Sequence, residues 1–209
     1  MIVMPSNNTG FMAGYIAGKY PGKFGLLISP DGWRRPPEVT PYALDNGAYG
    51  AWVNQYPWDE KGFYSMLEQA AQYHKPLWVA CPDKVADREA TLDLWPSHFQ
   101  RIRELGFAPA FVAQDGMTPD DVPGNAEVVF IGGSTKWKWQ NVRAFAHACP
   151  RVHVGRVNSY EGLWICHDLG VESCDGTGWM RGGMKRLEPL LRYLDETQTT
   201  RRQPCLLET

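Results

Sequence analysis

Short apolar runs alternate with amphipathic stretches along the whole chain, and this alternation limits the fold more than any other feature. Strands are expected at Gly25–Ser29, Tyr42–Asn46, Leu77–Cys81, Ala110–Gln114, Val128–Gly132, Val152–Val157 and Val171–Cys174, with Met1–Pro5 as a further candidate. Runs such as Val128-Val-Phe-Ile131 are apolar at every position, which suits strands buried on both faces of a parallel sheet. Between them, Glu60–His74, Asp87–Leu105, Trp139–Ala148, Tyr160–Leu169 and Met184–Leu194 carry apolar residues at helical spacing. Pro96 is expected to kink or split the second of these.

Alternating strands and helices imply right-handed βαβ units. Seven or eight strands in 209 residues predict an α/β fold, a compact (β/α)8 TIM-like barrel near the lower size limit. An open doubly wound sheet is the alternative, but no G-x-G-x-x-G follows a strand, which weakens its dinucleotide-binding version. The length suits one domain over residues 1–209, with the polar stretch 196–209 expected to fray.

Composition narrows the function classes. Hydrophobic residues make up 44% and charged residues 21%, which excludes disorder as the dominant state. No apolar run approaches the roughly 18 residues of a membrane span. Met1–Pro5 lacks the features of a secretory signal, so a cytoplasmic location is expected. Five scattered cysteines and five histidines show no chelating spacing, so no metal is expected. A net charge of -2 argues against a strongly basic coat protein. Residues 134–209 nevertheless hold 11 basic against 8 acidic side chains, so a polyanion would find its complement there.

Polar residues gather where the strands stop. Asp45 ends one run, in Leu44-Asp-Asn-Gly-Ala-Tyr-Gly50, and Asp83 follows another, in Ala80-Cys-Pro-Asp83. Gln114 and Asp115 follow Ala110–Ala113, Gly132-Gly133-Ser134 follow Ile131, and Asp175 follows Cys174. In a parallel barrel all strand C-termini open on one face, where catalytic groups gather. Each such residue alone also suits a turn or helix cap, and Asp115-Gly116 reads as a turn.

The order and spacing of these residues resemble the tRNA-guanine transglycosylase family. Its barrel enzymes carry D-S-G-G-F-Q, a strand-end Asp, V-Q-G, G-G-L, a glycine-containing strand, and F-D-x-V-x-P-T-R. Here stand Asp45-Asn-Gly-Ala-Tyr-Gly50, Asp83, Val112-Ala-Gln-Asp-Gly116, Ile131-Gly-Gly-Ser134, Val152-His-Val-Gly-Arg156 and Cys174-Asp-Gly-Thr-Gly-Trp-Met-Arg181. The likeness runs from about Leu44 to Arg181, and the Asp175-to-Arg181 spacing matches the family's. The family's zinc-binding cysteine cluster is absent. Asn46 replaces its Ser, and Trp179-Met180 replace its Pro-Thr. This pattern is similar to the short transglycosylases of bacteriophage and bacterial DNA modification, which insert 7-deazaguanine bases such as preQ0 into DNA.

The resemblance implies Asp175 as nucleophile and Asp45 as general acid and base. It implies Asp83, Gln114, Gly132 and Gly133 as readers of guanine and Tyr49 as a stacking ring. Gly176 and Gly178 are expected to let the backbone approach a sugar. No cofactor is implied; the partners are DNA and a free 7-deazaguanine base. A flipped nucleotide needs phosphate contacts outside the pocket, for which Lys136, Lys138, Arg156 and Arg181 are the candidates, with Trp137 and Trp139 beside them. Arg151, Lys185 and Arg186 add nearby charge. Three rival readings stay open: a tRNA enzyme acting with a partner subunit, an unrelated small-barrel N-glycoside hydrolase, and a non-catalytic nucleic-acid-binding module.

Overall fold

Eight parallel strands form a nearly closed barrel. The computed structural model describes residues 1–7, 10–181 and 183–198. The strands are β1 (Ile2–Met4), β2 (Leu26–Ile28), β3 (Tyr42–Leu44), β4 (Val79–Ala80), β5 (Pro109–Ala113), β6 (Val128–Ile131), β7 (Val152–Val154) and β8 (Ser173–Asp175). Their order is β1-β8-β7-β6-β5-β4-β3-β2, and bridges Val3–Phe24 and Ser6–Leu27 draw the two ends together. The helices are α1 (Phe11–Lys19), α2 (Ala48–Val53), α3 (Glu60–Ala70), α4 (Arg88–Glu104), α5 (Thr135–Ala148), α6 (Tyr160–Asp168) and α7 (Met184–Gln198). The chain thus adopts the α/β TIM-like barrel that the alternation predicts.

Two apolar layers hold it together, because successive side chains on a strand point to opposite faces. The lumen is filled by Met4, Leu27, Ala43, Trp78, Ala80, Ala110, Val112 and Val128. The other strand face packs on the helices in a much larger cluster, where Leu44, Val79, Phe111, Ile131 and Val154 meet residues such as Phe63, Ile102, Phe145 and Leu163. Side-chain caps set the helix starts: Asp59 accepts from Gly62 N–H, Asp87 from Ala90 N–H, and Ser159 from Gly162 N–H.

The structure departs from expectation at several helices. α4 runs unbroken through Pro96, because Trp95, His98 and Ile102 bury one side of it. α5 starts at Thr135, four residues earlier than expected, with Ser134 as its cap. α7 carries Glu196, Thr197 and Gln198, the start of the stretch expected to fray. Glu196 accepts from Arg192 one turn back and from Tyr160. Residues 199–209 of that stretch lie outside the described residues. α1 and α2 have no counterpart among the expected helices. Among the described residues, no helix is long and apolar enough to cross a membrane.

Candidate active site

The alternation that fills the lumen also builds a cavity at its mouth. One step beyond the last lumen residue of each strand stand Ser29, Asp45, Gln114, Gly132 and Gly155, two positions after Leu27, Ala43, Val112, Phe130 and His153. These five, with Asp83, Asp175, Tyr49, Arg156 and Arg181, line one cavity of about 520 Å³. Asp45 and Asp175, 130 positions apart in sequence, therefore share a single pocket.

One wall is a preorganised carboxylate. Asn46, buried between the barrel and α2, donates its amide to Cys81 O (2.8 Å) and to Asp83 Oδ1 (2.7 Å). Gln114 donates to the other oxygen of Asp83 (2.7 Å), while its own Oε1 accepts from Ala86 N–H. Both oxygens of Asp83 are thereby fixed in direction, with lone pairs left for a ligand. Burial pushes Asp83 up to about 6, against the pull of these two amides. Asp45 goes further, to about 7: burial is the main cause, and the charges of Asp175 and Asp83 add to it. The N–H groups of Asn46 and Gly47 oppose that rise. A carboxyl that titrates near neutrality is suited to proton transfer.

The opposite wall holds Asp175, which is 4% exposed. Its Oδ1 accepts from the backbone N–H of Arg156 at 3.0 Å and lies 3.2 Å from His153 Nε2. Arg156 takes a left-handed backbone conformation (φ 56°), which turns its N–H onto the carboxylate. Its guanidinium donates to the carbonyls of Gly132 and Gly133 and lies 4.6 Å from the Tyr49 ring centre. Gly133 must be glycine: its φ is +48°, and a Cβ would meet the Trp137 ring at 2.3 Å.

The structure revises several expected roles. Lys138 is fully buried and cannot reach a phosphate. Its ammonium turns inward to the carbonyls of Gly155 and Arg156, and burial lowers it to about 8. Trp137 and Trp139 lie half-buried against the helix layer. Lys136 is exposed on the first turn of α5 but does not line the cavity; Arg181 is exposed at its rim. Arg156 belongs to the cavity wall. Arg151 precedes β7, at the far end of the barrel, and pairs with Glu172 (2.6 Å). Gly132 N–H is spent on Ala113 O in the sheet (3.0 Å), and among the described residues no acceptor takes the N–H of Gly133.

Gly176 and Gly178 are required by packing. A Cβ on Gly176 would meet Val157 O at 2.3 Å and Trp179 Nε1 at 2.6 Å; one on Gly178 would meet Asn158. Gly176→Ala is expected to lower stability by about 1–3 kcal/mol, since rigid backbone must yield. Urea unfolding of the variant beside wild type measures this. Sequence reasoning missed three residues that shape the pocket: Asn46 as the holder of Asp83, and His153 and Ser173 beneath Asp175. The signal for His153 is one polar residue inside an otherwise apolar strand. Comparison with protein-family models and with curated proteins finds no match to this chain.

Proposed function

We propose that this chain is a transglycosylase that exchanges guanine in DNA for a 7-deazaguanine base. The observation that carries the reading is the meeting of Asp45 and Asp175 in one cavity, together with an Asp83 held by two amides. The motif order that resembles the transglycosylases supports it. The likeness of these motifs to the short DNA-directed transglycosylases is what favours DNA over tRNA in this reading.

In this mechanism guanine enters flipped out of the helix. Its N1–H and N2–H2 donors face Asp83, its O6 faces the remaining N–H of Gln114 or that of Gly133, and Tyr49 offers a face for stacking. Asp175 donates an electron pair to C1′. The bond from C1′ to the base breaks with its pair going to the base, which takes a proton from Asp45. A 7-deazaguanine shares the Watson–Crick edge of guanine and enters the emptied site. Its N9 then attacks C1′, the C1′–Asp175 bond breaks, its pair returns to the carboxylate, and the N9 proton passes to Asp45. Two displacements at one carbon retain its configuration.

The test is incubation of the protein with a labelled 7-deazaguanine base and either DNA or tRNA, followed by mass analysis of the nucleosides. Label in DNA nucleosides, with free guanine released in equal amount, is expected. Label only in tRNA moves the substrate to tRNA. Guanine release without incorporation makes the protein a hydrolase. Binding of DNA with neither change leaves only the binding module.

A further inference from the structure

Beneath Asp175 the lumen holds a histidine between two aromatic rings. His153 is 0% exposed, with the rings of Trp78 and Phe130 each 4.6 Å from its own. It stands opposite Ser173 in the pairing of β7 with β8, and Asp175 lies two residues further along the same strand face. Its Nδ1 is 2.8 Å from Ser173 Oγ, and its Nε2 is 3.2 Å from Asp175 Oδ1. Arg156 N–H reaches that same oxygen. Among the described residues no donor reaches Asp175 Oδ2.

We propose that His153 is a positioning residue, held by Ser173 as its Nε2–H tautomer, which keeps Oδ1 of Asp175 as the spectator oxygen and presents Oδ2 to the sugar. This rests on the reading of Asp175 as nucleophile. The tautomer follows from the partners. An ionised carboxylate only accepts, so the nitrogen facing it must carry a proton. A serine hydroxyl both donates and accepts, so Ser173 donates to the bare Nδ1. The opposite tautomer would set two lone pairs against each other in a dry lumen.

The consequence lies in the lifetime of the covalent intermediate. When Oδ2 forms the bond to C1′, Oδ1 becomes an ester carbonyl, a weaker acceptor than a carboxylate oxygen. Two donors on Oδ1 therefore favour the free carboxylate over the ester. They make Asp175 a better leaving group in the second displacement, while the imidazole proton stays on Nε2 throughout. The trio has the composition of a hydrolase triad but not its use. Ser173 is 0% exposed and lies beneath Asp175, where no substrate reaches it.

Two measurements on the full chain test this. The first is nitrogen-15 NMR of the imidazoles in wild type and Ser173→Ala. A Nε2–H tautomer is expected for His153 in wild type and also in Ser173→Ala, where Asp175 still requires that proton; a Nδ1–H tautomer or a doubly protonated ring in wild type overturns the proposal. The second compares His153→Leu with His153→Gln, whose side-chain amide can still donate to Oδ1. In His153→Leu, exchange is expected to fall about tenfold to a hundredfold while the fraction of enzyme trapped on DNA rises, the loss of one hydrogen bond to a charge. His153→Gln is expected to restore both. A parallel fall of exchange and trapped complex in both variants makes His153 a space-filler and overturns the proposal. If wild type neither exchanges base nor forms adduct, the transglycosylase reading falls, and the tautomer still decides what His153 does to Asp175.

Discussion

Asp175→Asn is expected to abolish base exchange, with a loss of at least about 10⁴-fold, and to remove any covalent complex with DNA. The substitution is close to isosteric. Its carbonyl oxygen still accepts from Arg156 N–H and from His153, the two groups that fix this side chain. The fold is therefore expected to survive, and thermal unfolding of the variant checks that it does. What is lost is the electron pair of the second carboxylate oxygen, since an amide nitrogen has none to give C1′. The measurement is incorporation of labelled base, alongside a denaturing gel that retains covalent protein–DNA species. Asp175→Ala should give the same result. An adduct that persists in both would move the nucleophile to Asp45 or Asp83, the other carboxylates of the cavity. Exchange without any adduct in wild type would remove the double displacement altogether.

The strands are legible in the sequence because a strand buried on both faces has no polar position to hide. Val128–Ile131 reads as such a strand from its residues alone, and Asp45, Asp83, Gln114 and Asp175 then stand out as polar groups closing apolar runs. Residues whose role depends on phase are less visible. Lys138 looks like part of a charged and aromatic surface until the helix start is known. With α5 beginning at Thr135, Lys138 falls on the same stripe as Val142 and Phe145 and turns inward. His153 meets Ser173 and Asp175 only because β7 pairs with β8 in the register His153–Ser173, and a single sequence does not display that register. α1 carries no signal: it has two glycines, no side-chain cap, and Phe11 and Tyr15 on its exposed side. Propensity and amphipathic pattern both fail there, and packing of Ala13 and Ile16 on the barrel decides.

Asp45→Asn is expected to slow exchange by about 10³-fold near neutral pH, within the range for loss of a general acid and base. In wild type, Asp45 titrates at about 7, because burial and the neighbouring charges of Asp175 and Asp83 disfavour its ionised form. Departure of guanine needs the protonated form, so adduct formation in a single turnover should decline as pH rises through about 7. Resolution by the incoming base needs the ionised form, so that step should decline as pH falls, and at a lower pH, because the ester has removed the charge of Asp175 that helps raise Asp45. The amide of the variant can do neither, and both limbs should flatten. The same titration acts on stability with a definite sign. The group moves from an ordinary 3.8 to about 7 on folding, so between those values the folded protein binds more protons than the unfolded chain. That contribution is fully present below about pH 4 and is lost as pH rises through 7, where wild type must hold an ionised carboxylate in the pocket. Asp45→Asn is free of that penalty. Its Tm should exceed that of wild type by about 10 °C at pH 8, and the gap should close towards pH 4. A variant that is inactive yet no more stable at high pH would mean that Asp45 is already ionised at little cost, and the proton would have to come from Asp83 instead.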